Sequence, residues 1–377
     1  MPLTSPARDA TVRGADDTLV TLQPYEHRSV PSGSPRLPHP LRLRVGDIVE
    51  VRSQAEILAT LDRSGAIDGL VFMPEMLAFC GKRFTVAKRA DKTCDTVKDS
   101  GLRRMEDTVH LEGTRCDGSA HAGCQASCQI FWKEAWLRRV SNSARPGDQG
   151  DSGRVSTQGG CTEEDLLAAT RRAPQGESPE VIYRCQNTDL REASTPLPPW
   201  RPLQYVRDLW FGNAGAGDIL RSILWTLGRF GRSNLPGYRI QVWLYNVVQR
   251  LTGAPPLLDL AGTLTKTPNE TLGLVPGELV QVKSVAEIRE TLNPSQRNRG
   301  LYFDMEMAPY CGRTLVVRSR VTRIINEKTG RLITIPGSCV ILEGAACTGC
   351  YHGGCPRAIY GYWREIWLRR VSGPATP

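Results

Sequence analysis

The sequence predicts a mainly β protein with an α insert: two duplicated small β-barrels joined by a helical linker segment. Three observations predict it. Shifted by 231 residues, the chain matches itself: residues 43–140 pair with 274–371 without a gap, and 36 of 98 positions are identical. Within each copy, apolar residues alternate in short runs that end at glycine, the period-two pattern of half-buried strands. Between the copies, apolar residues recur at helical spacing instead.

Composition sets the outer limits. The chain has 377 residues, 23% charged and 40% hydrophobic, which supplies a core and argues against wholesale disorder. No unbroken apolar run approaches the ~18 residues of a membrane span, so an integral membrane protein is not expected. The opening MPLTSPARDATVRGADD lacks the apolar stretch of a secretory signal, which points to the cytoplasm. In that reducing compartment, 12 cysteines read as metal ligands or reactive thiols before disulfides. The net charge of +9 permits an anionic partner without demonstrating one.

Residues 1–42 carry Pro24, Pro31, Pro35, Pro38 and Pro40 among polar neighbours and predict an extended or disordered arm. In the first repeat, 43–140, Gly46-Asp47 opens the alternating run IVEVRS, a strand. Ser53 is placed to cap a short helix over Ala55–Asp62. RFTVAKR and VHLEG continue as strands, and W-x-E-x-W-L-R-R-V reads as a last strand with Trp132, Glu134 and Trp136 on one face. Five or six short strands with glycine corners suggest a small barrel. The G-D-x-V-x-V opening is like that of SH3-like barrels. Residues 141–160 form a Gly/Ser linker, and 161–273 a partly helical insert. Within the insert, 203–252 predicts two or three amphipathic helices whose Trp210, Trp225 and Trp243 are expected to fill a core. The second repeat, 274–371, restates the first, with NEKTG as a hairpin turn.

Cysteine placement carries the chemistry. Cys80, Cys116, His121 and Cys124 align with Cys311, Cys347, His352 and Cys355, so both repeats read C-x35-C-x4-H-x2-C. Three thiolates and an imidazole make a complete tetrahedral set for zinc, about two ions per chain. A closed set leaves no position for water, so the expected role is structural. Two alternatives stay open. Cys128, or Cys350 in the second copy, can close a local set and leave Cys80 and Cys311 as buried thiols, or the cysteines hold no metal. Cys94, Cys161, Cys185 and Cys339 have no counterparts and are expected to be single buried thiols.

No P-loop, dinucleotide fingerprint, H-E-x-x-H or G-x-S-x-G motif occurs. The duplicated acids Glu75/Glu306 and Glu134/Glu365 read as ion-pair partners of Arg138/Arg139 and Arg369/Arg370 before they read as a catalytic pair. Trp136 and Arg138, with Trp367 and Arg369, form a candidate binding surface. The competing expectation is that the tryptophan face is buried.

FMPEMLAFCGKRFTVAKRADKTCDT, VHLEGTRCDGSAHAGCQASC and FWKEAWLRRV in the first copy, and RNRGLYFDMEMAPYCG, YHGGCPR and YWREIWLRRV in the second, carry a resemblance to a family of bacterial tandem-module proteins with duplicated Cys/His motifs. The insert segment RPLQYVRDLWFGNAG is similar too, so the resemblance runs from Leu41 to Val371. It implies neither an activity nor a cofactor. The expected function is therefore a non-enzymatic, zinc-stabilised binding or scaffold protein with a protein or peptide partner. An enzyme or accessory factor in a biosynthetic pathway is the first alternative, and nucleic-acid binding the second.

Overall fold

The computed structural model describes residues 40–140, 160–172, 180–220 and 260–371, with isolated helical positions at 223, 243, 246, 247, 250 and 251. The expected arm up to residue 39, the linker 141–159, Trp225 and most of the expected helices beyond 220 lie outside the described residues.

The structure is mainly β, and the duplication is visible in it. In the first repeat an antiparallel five-stranded sheet runs, in hydrogen-bonded order, Trp132–Lys133, Thr108–Leu111, Arg83–Arg89, Ile48–Val51, Leu137–Arg139. The second repeat gives the same order with Trp363–Arg364, Leu332–Leu342, Thr314–Ile325, Leu279–Val282 and Leu368–Arg370. Each order has two ends, and neither sheet is closed into a barrel. Local chemistry repeats as well. Ser53 and Glu56 form a capping box on helix Gln54–Leu58, and Ser284 and Glu287 do so on Val285–Arg289.

The W-x-E-x-W segment differs from its predicted single strand. A 3-10 turn, Glu134–Trp136, separates two short strands, and Glu365–Trp367 does the same in the second copy. The turn breaks the period-two alternation and tucks the second tryptophan inward. Trp132, Trp136, Trp363 and Trp367 are all fully buried, packed edge-on against Phe72 and Phe303. Glu134 and Glu365 are buried with them, and their partners are not the neighbouring arginines as expected. Arg89 Nη1 lies 2.5 Å from Glu134 Oε1, and Arg320, at the matching position, lies 3.3 Å from Glu365 Oε1.

The two repeats exchange hairpin contacts. Cys94 N–H donates to Cys355 Sγ at 3.1 Å, and Ile325 N–H donates to Cys124 Sγ at 3.3 Å. Residues 94 and 325 are equivalent positions, as are 124 and 355. Thr96 donates to Glu327, its own equivalent. Such reciprocal contacts are those of a two-fold dimer, here within one chain.

The insert attaches to both copies. Thr195–Pro196 pairs with Arg103–Arg104 of the first repeat, and Tyr183 N–H donates to Gly330 O in the turn of the second at 2.8 Å. Helix Leu203–Phe211 presents its polar side inward: Gln204 and Asp208 are buried, and Asp208 pairs with buried Lys92 at 2.5 Å. Leu203, Val206, Leu209 and Trp210 face outward. Trp210 at 66% and Trp243 at 63% exposure are therefore not core residues, contrary to expectation. Among the described residues, no helix is long and apolar enough to cross a membrane.

The first core also holds a titratable group absent from the second. His110 is fully buried, with Nδ1 donating to Ile130 O at 2.8 Å and Nε2 unpartnered. Burial, then the positive charges of Arg357 and Arg115, push it down to about 4 from an ordinary 6.5, against the Ile130 carbonyl. Between those values the unfolded chain binds the proton and the folded chain does not, so stability falls as pH drops from 6.5 toward 4. The loss is about 3 kcal/mol for a shift of this size. The second repeat carries Ile341 at this position. Urea unfolding of His110→Ile is expected to show a flatter pH dependence over this window than the native chain. Parallel curves would contradict the assignment.

Candidate metal centres

Among the described residues, two groups of three potential ligands converge, with donor atoms all within 4.8 Å: Glu75, Cys116 and His121, and Glu306, Cys347 and His352. The same elements build both. The acid sits on a 3-10 turn, Pro74–Phe79 or Met305–Tyr310. The thiol and imidazole sit on a glycine loop that follows the Leu-Glu-Gly strand end. Gly118 and Gly349 turn these loops at φ 74° and 79°. A Cβ at either would come within 2.0 Å of Cys124 O or 2.3 Å of Cys355 O, so the loop that presents the ligands requires glycine there. Gly118 O accepts from both His121 N and Gly123 N, and Gly349 O likewise accepts from His352 N and Gly354 N.

The first centre is closed. Cys116 Sγ donates to Glu75 Oε1 at 3.0 Å, His121 Nδ1 donates to the same oxygen at 2.9 Å, and His121 Nε2 donates to Arg184 O at 2.9 Å. Burial pushes the Glu75 carboxyl up, but the imidazole and thiol beside it more than offset this and hold it below its ordinary value. Burial, then the Glu75 charge, raises the Cys116 thiol well above its ordinary value. Glu75 Oε2 is buried without a partner. An acid, a thiol and a stranded carboxylate oxygen in one dry site are groups that a cation would satisfy together. Beside them lies a cavity of about 30 Å³ lined by Cys116, His121, Cys124, Cys128 and Cys185 among others.

The second centre is open. Cys347 Sγ lies 3.3 Å from His352 Nδ1, and His352 Nε2 lies 3.7 Å from Asp304 Oδ2. Both Glu306 oxygens are occupied by the ligand loop: Tyr351 N–H donates to Oε1, and Thr348 N–H and Oγ1 donate to Oε2. The His352 side chain is 37% exposed against 1% for His121. It opens onto a cleft of about 920 Å³ between the first repeat, the Pro196–Trp200 segment and the second repeat. The insert accounts for the difference. Its Arg184–Asn187 stretch covers the first centre.

Of the sequence-predicted ligands, Cys116 with His121 and Cys347 with His352 come together in these groups. Cys124 and Cys355 lie on the same loops and accept the exchanged backbone N–H groups. Cys80 and Cys311 are not in either group of three. They pack against the two hydrophobic cores, and burial alone raises the Cys311 thiol, to about 11. Cys128 lines the first cavity, and Cys350 lies near Tyr310 and Cys347. The expected Trp–Arg surface separates into two environments. Trp136 and Trp367 are core, while Arg138 and Arg369 are exposed and paired with Glu56 and Glu287. Arg139 and Arg370 pair with Asp47 and Glu278, so this edge is neutralised by carboxylates.

Sequence reasoning missed Cys185 and Cys94. Burial raises the Cys185 thiol to about 12, and it lines the first cavity beside Cys116 and Cys124. Cys94 donates its backbone N–H to Cys355 Sγ and lines the second cleft. Neither has a counterpart in the other repeat, which is why a search for shared ligands passes over them. No family model, curated protein or solved structure matches the chain.

Proposed function

We propose that the chain is a zinc-stabilised tandem-module binding protein whose ligand occupies the cleft over the second Cys/His group. Its two half-open five-stranded sheets are read as SH3-like modules, each with a 3-10 turn before the last strand. The observation that carries this reading is the asymmetry of the duplicated centres: one sealed by the insert, the other at the wall of a cavity of about 920 Å³. That volume lies within the range of roughly 300–1,000 Å³ typical of small-ligand sites. Thiol, imidazole and carboxylate donors together suit zinc better than magnesium or calcium.

The lining indicates the ligand's chemistry. Trp200, Tyr302, Tyr360 and Tyr362 supply aromatic surface, Asp99 and Asp304 supply negative charge, and no lysine or arginine lines the cleft among the described residues. A short peptide with a basic side chain fits: aromatic faces and carboxylates both favour a cation. Nucleic acid does not fit, because phosphate calls for the basic groups that the cleft lacks.

Lysine- and glutamate-centred tripeptides, titrated by calorimetry against the intact protein, test the reading. Binding of the lysine peptide alone is expected, and it should weaken at least tenfold in Trp200→Ala, whose exposed side chain contributes little to stability. No binding of either peptide, or equal binding of both, would overturn the assignment.

A further inference from the structure

We propose that the second centre holds its metal ion by three protein donors, Glu306, Cys347 and His352, and keeps a fourth coordination position that the cleft ligand fills with the neutral nitrogen of an imidazole. This rests on the metal and cleft readings above and names the donor that the ligand brings.

The histidine is turned the same way in both centres. His121 Nδ1 lies 2.9 Å from Glu75 Oε1. His352 Nδ1 lies 3.9 Å from Glu306 Oε1 and 3.3 Å from Cys347 Sγ. Zinc bonds of about 2.0–2.3 Å place tetrahedral donors roughly 3.3–3.6 Å apart, so the second group stands close to the spacing that an ion needs. The outer nitrogen, Nε2, lies 2.9 Å from Arg184 O in the first centre and 3.7 Å from Asp304 Oδ2 in the second. A carbonyl or carboxylate behind the outer nitrogen is the usual support of a metal-bound histidine.

The two acids differ, and that difference sets the coordination. Glu75 Oε2 is buried without a partner, so Glu75 can give both oxygens to an ion; with Cys116 and His121 they make four donor atoms in a sealed site. Glu306 Oε2 already accepts from Thr348 N at 2.8 Å and Thr348 Oγ1 at 2.7 Å. Its Oε1 accepts from Tyr351 N at 2.7 Å and keeps a second lone pair for the ion. Among the described residues no further Cys, His, Asp or Glu donor joins the second group, so a tetrahedral ion there keeps one position. The His352 side chain is 37% exposed, and all three donor residues form part of the cleft wall, so the ligand reaches that position.

Charge selects the donor. The Cys347 thiolate and the Glu306 carboxylate cancel the two charges of the ion, with the thiol proton leaving to solvent as the metal binds. The cleft adds Asp99 and Asp304 and, among the described residues, no lysine or arginine. An anionic fourth donor would enter against that charge. Near neutral pH an imidazole is largely uncharged, whereas a lysine amine stays protonated and has no lone pair to give. The basic side chain of the bound peptide is therefore a histidine.

Calorimetry on the zinc-loaded full-length protein, at about pH 7.5, tests this with tripeptides centred on histidine or lysine and capped at both ends. The histidine peptide is expected to bind at least about tenfold more tightly than the lysine peptide. The preference should vanish in His352→Ala, a partly exposed position where circular dichroism should show the native fold. By elemental mass spectrometry that variant should hold about one zinc ion against about two in the native chain. Brief chelation of the native chain should likewise strip the cleft ion before the sealed one, and the preference with it. If the lysine peptide binds and the histidine peptide binds no better, or if the preference survives in His352→Ala, the imidazole assignment falls while the cleft reading stands. Two ions retained in His352→Ala would overturn the three-donor set. A native chain that holds no zinc, or that binds neither peptide, would remove the underlying readings as well.

Discussion

Replacing Trp136 by alanine is expected to destabilise the protein by about 3–5 kcal/mol, the range for a large aromatic side chain removed from a core. The indole is fully buried, and its ring centroid lies 5.1 Å from that of Phe72 at a near-perpendicular angle. Its Nε1–H donates to Thr60 Oγ1 at 3.2 Å, so truncation removes a partner as well as a volume. Trp367→Ala should cost a similar amount, because Trp367 is buried against Phe303 at 5.2 Å and donates to Thr291 Oγ1 at 2.9 Å. The surrounding cores are built alike, so relaxation into the cavity should be similar in the two repeats. Urea unfolding of the two variants measures this. A loss below about 1 kcal/mol in either would mean that the site collapses around the missing ring, or that the ring is not in the core.

The duplication made much of this architecture legible. A gap-free self-match forces two like folds, and the two sheets share one strand order. The glycine loops with their Cys and His pairs were legible for the same reason. What the repeat comparison hid is whatever breaks the symmetry. Cys94 faces Ile325 in the alignment and Cys185 lies in the unduplicated insert, so neither stood out, although Cys185 lines the first cavity and Cys94 the second cleft. Strand alternation misled at W-x-E-x-W, because a three-residue 3-10 turn, Glu134–Trp136, inserted between two short strands leaves the period-two spacing of the sequence unchanged. Helical spacing found Leu203–Phe211 but not its orientation. Lys92 and Asp208 form a buried pair there, and that long-range contact turns the polar side inward.

The other large effect concerns a charge. Glu134→Ala is expected to cost about 3–5 kcal/mol, because it removes one of the two carboxylates paired with the buried Arg89 guanidinium. Arg89 is almost fully buried, with Nη1 2.5 Å from Glu134 Oε1, Nε 3.0 Å from Asp91 Oδ2 and its guanidinium 4.4 Å above the Phe211 ring. Glu134 also accepts from Arg42 N at 2.8 Å and Leu43 N at 3.1 Å, so the change leaves two backbone donors unpaired as well. Removing both charges in Arg89→Met/Glu134→Leu should not restore native stability, since those two N–H groups and Leu43 O, which Arg89 serves at 2.8 Å, lose their partners. The second repeat supplies the control. Arg320 occupies the Arg89 position against Glu365, but its side chain is 37% exposed and can turn to water. Glu365→Ala should therefore cost less than Glu134→Ala. Equal losses in the two repeats would show that the unpaired backbone donors, and not the broken buried ion pair, set the cost.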